Sequence, residues 1–298
     1  MIQPVTDKAL LRRRFARAHA AGQPGATFLV DTVVAELGER LAGIDRHFPV
    51  AVAHGGQTNM LARALVGTSR IGSVARMEQT REALRDTEFP AIVADEEALP
   101  LAAGSIDLFA STLAFQWTND LPGAFIQIRR ALRPDGLLLA AMTGGRTLAE
   151  LRECLFAAET ELRGGASPRV LPAVDVQDLG ALLQRAGFAL PVADRDVFVV
   201  RYASAVELFR DLRSMGAANT LVERERRPVS RDLFMRAAEI YSERFSDADG
   251  RVRATFEILS LSGWVPHESQ QQPARRGSAG VSLADVLGAG KNSAVTDR

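Results

Sequence analysis

The sequence is poor in several residue types, and each shortage excludes a class of protein. Cys154 is the only cysteine in 298 residues, so no internal disulfide can form and a reducing compartment is expected. Aromatic residues make up 6% of the chain, and no apolar run approaches the roughly 18 residues that cross a bilayer. The N-terminus also lacks the apolar core of a secretory signal peptide. These absences predict a cytoplasmic location.

Net charge is absent as well. Lys plus Arg and Asp plus Glu both number 36, so no overall charge draws the chain to nucleic acid or to a membrane surface. Lysine occurs only at Lys8 and Lys291, which leaves arginine as almost the whole cationic content. The four histidines lack the close spacing of a metal site, and neither a Gly-x-Ser-x-Gly elbow nor a Walker A loop is present. With 47% hydrophobic residues, the composition predicts one large globular domain with at most a small appendage.

The most informative stretch of the chain runs from Ala91 to Met142. Apolar runs at residues 92–94, 106–111 and 137–142 predict three strands. Between the second and third runs, helical spacing of apolar residues predicts a helix of about three turns, with Leu121, Phe125, Ile128 and Leu132 on one face. Asp120 is its expected cap, and residues 133–136, with Gly136 at a positive φ, are its expected end. Strand, helix and strand in this order predict parallel strands in one sheet.

Polar residues follow these strands where each strand ends. Asp95 and Glu96 belong to an acidic turn after the first strand, and a segment from Thr112 to Trp117 follows the second. Ligands of parallel sheets bind outside the carboxyl ends of the strands. These residues are therefore the first candidates for a binding site.

A second candidate lies upstream, where residues 50–53 predict a strand and residues 60–65 predict a helix. The loop between them contains Gly55, Gly56 and Thr58. A strand, a glycine loop and a helix together permit close backbone approach to a nucleotide or an S-adenosyl cofactor. The loop alone would equally permit a nicotinamide-binding enzyme.

Four segments together resemble class I S-adenosylmethionine-dependent methyltransferases: DEEALP, SIDLF, FQWTNDLPGAF and RALRPDGLLLAAM. The run at residues 116–130 narrows the resemblance to bacterial and mitochondrial proteins related to the methyltransferase-like assembly factor of respiratory complex I. The malonyl-acyl-carrier-protein methyltransferase of biotin synthesis is a more distant relative. Residues 144–152 and 251–264 extend the resemblance over most of the chain.

The resemblance implies an α/β fold: a Rossmann-like, seven-stranded sheet with helices on both faces and a helical insertion before an antiparallel last strand. It divides the chain into N-terminal helices (1–45), a methyltransferase domain (46–264) with an insertion at about 204–246, and a flexible tail (265–298). Within the tail, residues 282–288 resemble a short family motif. Capping residues are expected at Asp7 and Asp175, and capping boxes at residues 147–150 and 204–207.

The resemblance also implies that S-adenosylmethionine is the cofactor and that it lies across Gly55, Gly56 and Thr58. Glu78, after the second strand, is either a ribose ligand or the start of a helix. Asp95 is placed near the adenine amino group with Glu96 as its substitute, or both are simply solvated. The glycine loop departs from the family pattern, because Ala53 replaces a usual acid.

A second departure is Asn59, which stands where a further glycine is usual. Asn tolerates a positive φ better than other residues do, so the turn can survive.

On the acceptor side, Gln116 and Trp117 are expected to face the methyl donor, although Trp117 is equally a core residue. Arg146 is placed where it could meet an acidic substrate group. A basic face on the first helix, formed by Arg12, Arg13, Arg14 and Arg17, is either solvated, in contact with an acidic partner, or part of a lid.

Two functions remain open at this point. One is an enzyme that methylates a small molecule or a protein side chain, with a complex I subunit as the implied protein acceptor. Some relatives are linked to arginine hydroxylation instead. The other is an assembly or binding protein that keeps the fold and has lost turnover, which the departures at Ala53 and Asn59 favour. No metal and no nucleic acid are expected in either case.

Overall fold

The computed structural model describes residues 3–22, 27–172 and 174–270. Residues up to Pro266 form one unit, and residues 267–270, in which the His267 ring lies 2.8 Å from the Ser269 hydroxyl, belong to a second. The predicted tail motif at residues 282–288 falls outside the described residues. No helix within the described ranges is both long enough and apolar enough to traverse a bilayer.

Seven strands in the described residues form a single sheet, as predicted. They are β1 (Phe48–Gly55), β2 (Ile71–Glu78), β3 (Ala91–Val93), β4 (Ile106–Thr112), β5 (Leu132–Thr143), β6 (Ala189–Tyr202) and β7 (Val252–Trp264). Their order is β3-β2-β1-β4-β5-β7-β6. The first five strands are parallel, and β7 is antiparallel to both β5 and β6. The predicted antiparallel last strand is confirmed, although it lies inside the sheet and β6 forms the edge.

Helices cover both faces of this sheet. They are α1 (Lys8–Ala21), α2 (Phe28–Ala42), α3 (Met60–Val66), α4 (Leu121–Ala131), α5 (Ala149–Arg163), α6 (Val176–Arg185), α7 (Ala205–Ser214) and α8 (Arg231–Phe245), with short 3-10 helices at Glu82–Leu84 and Phe115–Trp117. The predicted helical insertion corresponds to α7 and α8, which lie between β6 and β7 in the chain.

Alternation along the central strands creates two apolar cores. In β1, Ala51 and Ala53 belong to the core shared with α2, α3, α5, α7 and α8, whereas Val52 belongs to the core shared with α4 and α6. Leu108 and Phe109 divide in the same way in β4. Successive side chains of a strand point to opposite faces, so a strand covered on both faces must be apolar at nearly every position.

The helix predicted after β4 is confirmed as α4. Phe125 and Ile128 are fully buried, and each contributes roughly 1.5–3 kcal/mol through burial. The Asp120 carboxylate caps the helix by accepting a hydrogen bond from the Gly123 amide at 2.9 Å.

The turn predicted at residues 133–136 has a different geometry. These residues already belong to β5, and the positive φ of 61° falls on Asp135 rather than Gly136. Gly136 is needed for a different reason, because a Cβ there would lie 2.7 Å from the Arg133 carbonyl oxygen. The same Cβ would lie 3.1 Å from the Asp107 carbonyl oxygen of β4, so close approach of the backbone within the turn and across to β4 explains this glycine.

Of the four other predicted capping sites, three are confirmed, at Asp7, Asp175 and Ser204. The capping box at residues 147–150 is wrong. The Thr147 hydroxyl donates to the Glu257 carbonyl at 2.9 Å, and the Glu150 carboxylate accepts from the Thr255 amide at 3.1 Å. Both side chains therefore tie the start of α5 to β7 and do not cap the helix.

Candidate functional site

The strand order reverses its direction at the boundary between β1 and β4. From β1 the chain adds β2 and β3 on one side, and it then adds β4 and β5 on the other. Gly55 at the end of β1 pairs with Thr112 at the end of β4. Ligands of open parallel sheets bind at such a reversal, outside the carboxyl ends of the strands. A cavity of about 1740 Å³ opens there. Small-molecule pockets are commonly about 300–1,000 Å³, so the space exceeds the needs of one small ligand.

The glycine loop forms the floor of this cavity. Gly55, Gly56 and Gln57 all have positive φ values, of 81°, 75° and 54°. A Cβ on Gly55 would lie 2.5 Å from the Thr112 carbonyl oxygen, so only glycine fits there. The loop turns sharply at the end of β1 and leaves its backbone open to the cavity.

Asn59 plays a different part from the one expected. Its φ is −78°, and it stands before the first residue of α3, so the expected positive φ at this position is wrong. Gln57 carries that conformation instead. The Asn59 side chain donates to the Asp86 carbonyl at 3.1 Å and accepts from Arg76 at 2.9 Å, which fastens the loop to the end of β2.

Glu78 ends β2 and lines the cavity, as a ribose ligand would. Its carboxylate is buried and accepts a hydrogen bond from Arg76 Nη2 at 2.7 Å. Burial raises the pKa of Glu78 to about 7, although the Arg76 cation and the Gln57 amide both lower it. The carboxyl group therefore changes its charge near neutral pH.

The acidic turn after β3 is occupied by a lysine. Lys8 Nζ, from α1, lies 3.1 Å from both Asp95 and Glu97 and forms a further ion pair with the fully buried Glu96. Arg12 pairs with Asp95 at 2.6 Å. Burial alone would raise the pKa of Asp95, but the Glu97 amide and Lys8 lower it overall. These three carboxylates lie close enough together to hold a cation, and the Lys8 ammonium group takes that place.

His54 joins the acidic turn to the sheet. It is buried, its Nδ1 lies 3.0 Å from the Ser111 hydroxyl, and its Nε2 lies 3.9 Å from Glu96. The ring packs against Phe109 and Phe115. Burial lowers the pKa of His54, so the imidazole is neutral at pH 7.

Gln116 and Trp117 lie in the 3-10 helix that follows β4, and both line the cavity. Gln116 donates to the Leu113 carbonyl at 2.7 Å, while its own Oε1 is buried and finds no hydrogen-bond partner in the described part of the chain. Trp117 packs edge-to-face on Phe15 of α1, with ring centroids 6.1 Å apart. Trp117 therefore attaches α1 to the sheet.

A helical cap forms the opposite wall of the cavity. We use this name for the lining residues of α1, α7 and residues 215–229. Phe15 and Ala18 of α1 lie against Gly216, where a Cβ would come within 2.7 Å of the Phe15 ring. The Asp7 amide also donates to the Thr220 carbonyl at 2.8 Å. The cap is therefore one continuous wall.

The chain is similar to known proteins in both sequence and fold. Residues 50–140 match the methyltransferase domain family. The human protein named arginine-hydroxylase NDUFAF5, mitochondrial, is 40% identical over 290 residues, which cover 95% of this chain and 83% of that protein. This chain belongs to the methyltransferase family of these relatives. A malonyl-[acyl-carrier protein] O-methyltransferase of Methylovorus sp. is 34% identical, with 87% of this chain and 90% of that protein covered. The YcgJ protein of Bacillus subtilis shares the fold, with a TM-score of 0.54 at 12% identity over 78% of this chain and 98% of that one.

The structure brings six of the ten predicted site residues to the cavity wall. They are Gly55, Gly56, Thr58, Glu78, Gln116 and Trp117. The other four lie away from it. Asp95 and Glu96 are engaged by α1, Thr112 is buried beneath the glycine loop, and Arg146 is exposed with its amide donating to Glu257 at 2.9 Å.

Two residues at the candidate site were not predicted from the sequence. Lys8 holds the acidic turn, and Gln79 lines the cavity beside Glu78. The isolation of Lys8 in an arginine-rich chain was a usable signal for the first. The sequence gives no comparable signal for Gln79, because its position beside the cavity depends on where β2 ends in the folded sheet.

Proposed function

We propose that this methyltransferase-family protein binds an S-adenosyl cofactor at the carboxyl edge of the sheet and transfers the methyl group to an acceptor held under the helical cap. One observation carries the proposal. The positive-φ loop, Glu78 and two buried amide oxygens without partners among the described residues, Gln79 Oε1 and Gln116 Oε1, meet in one cavity. Buried polar atoms are normally paired, so orphaned acceptors in a cavity favour a ligand with donor groups.

The fit to the cofactor begins with Glu78. In its ionised form this carboxylate has acceptor positions beyond the one that Arg76 uses, and paired ribose hydroxyls are suitable donors. Gly55 and Gly56 present no side chain to the cavity, so a ligand can lie directly against the backbone there.

Gln79 supports a role near the adenine ring. Its Nε2 donates to Glu96 at 2.8 Å, which fixes the amide and leaves Oε1 as a buried acceptor. An adenine amino group would satisfy that oxygen. We therefore assign to Gln79 the contact expected of Asp95, because the Asp95 carboxylate is already paired with Lys8 and Arg12.

The chemistry needs few catalytic groups. S-adenosylmethionine supplies an electrophilic methyl group, and transfer depends mainly on proximity and orientation. In this proposal Gln116 Oε1, a buried oxygen without a hydrogen-bond partner among the described residues, accepts a hydrogen bond from the nucleophile of the acceptor. The cavity of about 1740 Å³ leaves room for an acceptor beside the cofactor. A small molecule or a protein side chain fits this description, and the resemblance to the complex I assembly factor supports a complex I subunit.

A second candidate function is assembly without turnover. Ala53 stands where the family usually has an acid, and Lys8 and Arg12 neutralise the acidic turn. Both features weaken the charge-assisted contacts to a cofactor, each worth roughly 1.5–3 kcal/mol. The human relative is named a hydroxylase, so oxidation of an acceptor arginine is a third outcome to test.

The test begins with calorimetric titration by S-adenosylhomocysteine at pH 8. Micromolar binding that weakens at least tenfold in Glu78→Gln and stays unchanged in Arg130→Gln, an exposed residue of α4, supports the cofactor site. Absence of heat with the wild-type protein contradicts it and favours the assembly function.

The reaction is then identified by mass spectrometry. Purified candidate acceptors are incubated with the protein and S-adenosylmethionine, and in a parallel reaction with dioxygen and an added reductant, which hydroxylation requires. A gain of one methylene unit supports methyl transfer, a gain of one oxygen atom supports hydroxylation, and an unchanged mass with tight cofactor binding leaves a binding protein.

A further inference from the structure

The cavity wall carries an excess of positive charge that the balanced composition hides. The whole chain has 36 basic and 36 acidic residues. Among the described residues, the cavity wall has eight arginines and only three carboxylates. The arginines are Arg14, Arg17, Arg169, Arg210, Arg213, Arg224, Arg226 and Arg227. Seven of them belong to the cap, and the eighth, Arg169, lies between α5 and α6 and pairs with Glu159. The unpaired charge is therefore concentrated on the cap.

The three carboxylates do little to offset this charge. Asp7 pairs with Arg224 at 3.1 Å, and Glu78 pairs with Arg76 at 2.7 Å. Glu225 is exposed and accepts a hydrogen bond from the Arg227 amide at 3.0 Å. In the part of the chain that the structure describes, Asp7 is therefore the one carboxylate that acts on the cluster of guanidinium groups around Arg14.

Arg14 is the centre of that cluster. Its Nη1 is buried, and no hydrogen-bond partner for it exists in the described ranges. Burial lowers the pKa of Arg14, and repulsion by Arg224 and Arg17 lowers it further, while only Asp7 acts in the opposite direction. An unpaired, buried guanidinium donor is costly to maintain. Such an arrangement is stabilised when an anion enters.

The orientation of Arg224 also favours the binding of an anion. Its Nη1 donates to the Leu221 carbonyl at 2.7 Å and its Nη2 lies 3.1 Å from Asp7, so the planar head is held in place at the cavity wall. Guanidinium groups bind carboxylate and phosphate oxygens in a fork, with geometry that a lysine cannot copy.

We infer that Arg14 and Arg224 form an oxyanion site that holds a carboxylate or phosphate group of the acceptor. Identifying the bound molecule as the acceptor rests on the function proposed above, whereas the anion site itself does not. The inference narrows the substrate class. The name of the human relative refers to an arginine. The arginines of the cavity wall would repel an acceptor arginine, so such an acceptor would need an acidic group beside it.

The test is calorimetric titration of the full-length protein, at low salt, with malonate and with inorganic phosphate. We expect the wild-type protein to bind at least one of them and Arg14→Gln to bind it at least tenfold more weakly. Arg130→Gln is the matched control, because Arg130 is exposed on α4 outside the cavity. Stronger binding of malonate assigns a carboxylate group, and stronger binding of phosphate assigns a phosphate group. Equal binding by the wild type and Arg14→Gln, or no binding by the wild type, overturns the inference.

Two further measurements distinguish loss of the anion site from loss of the fold and from failure of the proposed function. Arg17 is exposed, so Arg17→Gln leaves the buried face of α1 unchanged and should weaken malonate binding by a smaller factor, about threefold. Titration with S-adenosylhomocysteine tests the proposed function independently. Anion binding that depends on Arg14 without any cofactor binding would leave the anion site standing and remove the proposed function.

Discussion

The two walls of the cavity are built on different physical principles. The sheet edge is made by backbone: paired strands, a loop with three successive positive φ values, and buried polar side chains that mostly have partners. The cap is made by long arginine side chains with few compensating acids. Backbone positions a ligand by its shape, whereas a wall of guanidinium groups attracts a ligand by its charge. The contrast favours a cofactor on one wall and an anionic acceptor on the other.

Lys8 connects the two walls. It belongs to α1, yet its ammonium group is surrounded by the carboxylates of the acidic turn. Asn119 adds a second connection, because its side chain accepts from the amides of Val5 and Thr6, each at 2.8 Å. Substitutions at these contacts, where the two walls meet, should therefore have the largest effects.

Lys8→Met should have the largest effect on stability. It leaves the carboxylate of Glu96, which is 0% exposed, without its cationic partner. Removing one partner of a buried ion pair costs about 3–5 kcal/mol. Urea unfolding monitored by circular dichroism measures this loss. Arg12→Met removes a half-exposed partner of Asp95 and should cost less than about 1 kcal/mol.

A double variant shows whether the missing charge is the cause. Glu96→Gln in the Lys8→Met background removes the unpaired carboxylate and should restore part of the lost stability. Equal losses in Lys8→Met and Arg12→Met would show that the ion pair does not hold α1.

Gly55→Ala should have the next largest effect. A positive φ costs an L-residue about 1–2 kcal/mol, and the clash with the Thr112 carbonyl adds about 1–3 kcal/mol. Gly104→Ala is the matched control, because Gly104 has a φ of 60° but open space around its Cβ position. Thermal unfolding should therefore separate the two variants, and indistinguishable melting temperatures would contradict the account of the loop.

The pH dependence of cofactor affinity should follow Glu78. Its pKa is raised from 4.5 to about 7, mainly by burial. Ribose hydroxyls donate to the ionised form, so affinity for S-adenosylhomocysteine should rise, by up to about tenfold per unit, as pH rises through about 7 and then level off. The contribution of Glu78 to the free energy of unfolding has the opposite pH dependence. It is fully present below pH 4.5 and is lost as the pH rises through about 7. Calorimetry at a series of pH values should show the profile, and Glu78→Gln should flatten it.

Gln57→Gly should have the smallest effect. It relieves a positive φ of 54°, a gain of about 1–2 kcal/mol, and loses about 0.5–1 kcal/mol to the greater freedom of glycine in the unfolded chain. A net stabilisation below about 1.5 kcal/mol is expected in urea unfolding. A destabilised variant would mean that the Gln57 side chain makes contacts that outweigh the strain.

Much of the fold was predictable because local pattern and tertiary packing agree. In α4, apolar spacing, the Asp120 cap and the buried face all indicate the same helix. Prediction failed where a local signal was overridden by a distant contact. Thr147 and Glu150 have the spacing of a capping box, but β7 supplies closer partners for both.

The site was predictable to the extent that it depends on strand ends. Gly55 and Glu78 end β1 and β2, Gln116 follows β4, and all three reach the cavity. Asp95 follows β3 equally well, but α1, far away in sequence, brings Lys8 to it. The basic face of α1 was predicted, but its association with Arg224 was not, since it joins α1 to a loop some 200 residues later.

The central claim is that the two walls bind chemically different ligands, and paired titrations test it most directly. S-adenosylhomocysteine and malonate are each titrated into wild type, Glu78→Gln and Arg14→Gln at pH 8. Our account predicts that Glu78→Gln weakens only the cofactor analogue and that Arg14→Gln weakens only malonate, each at least tenfold. Variants that weaken both ligands equally would contradict the division of the cavity into two sites.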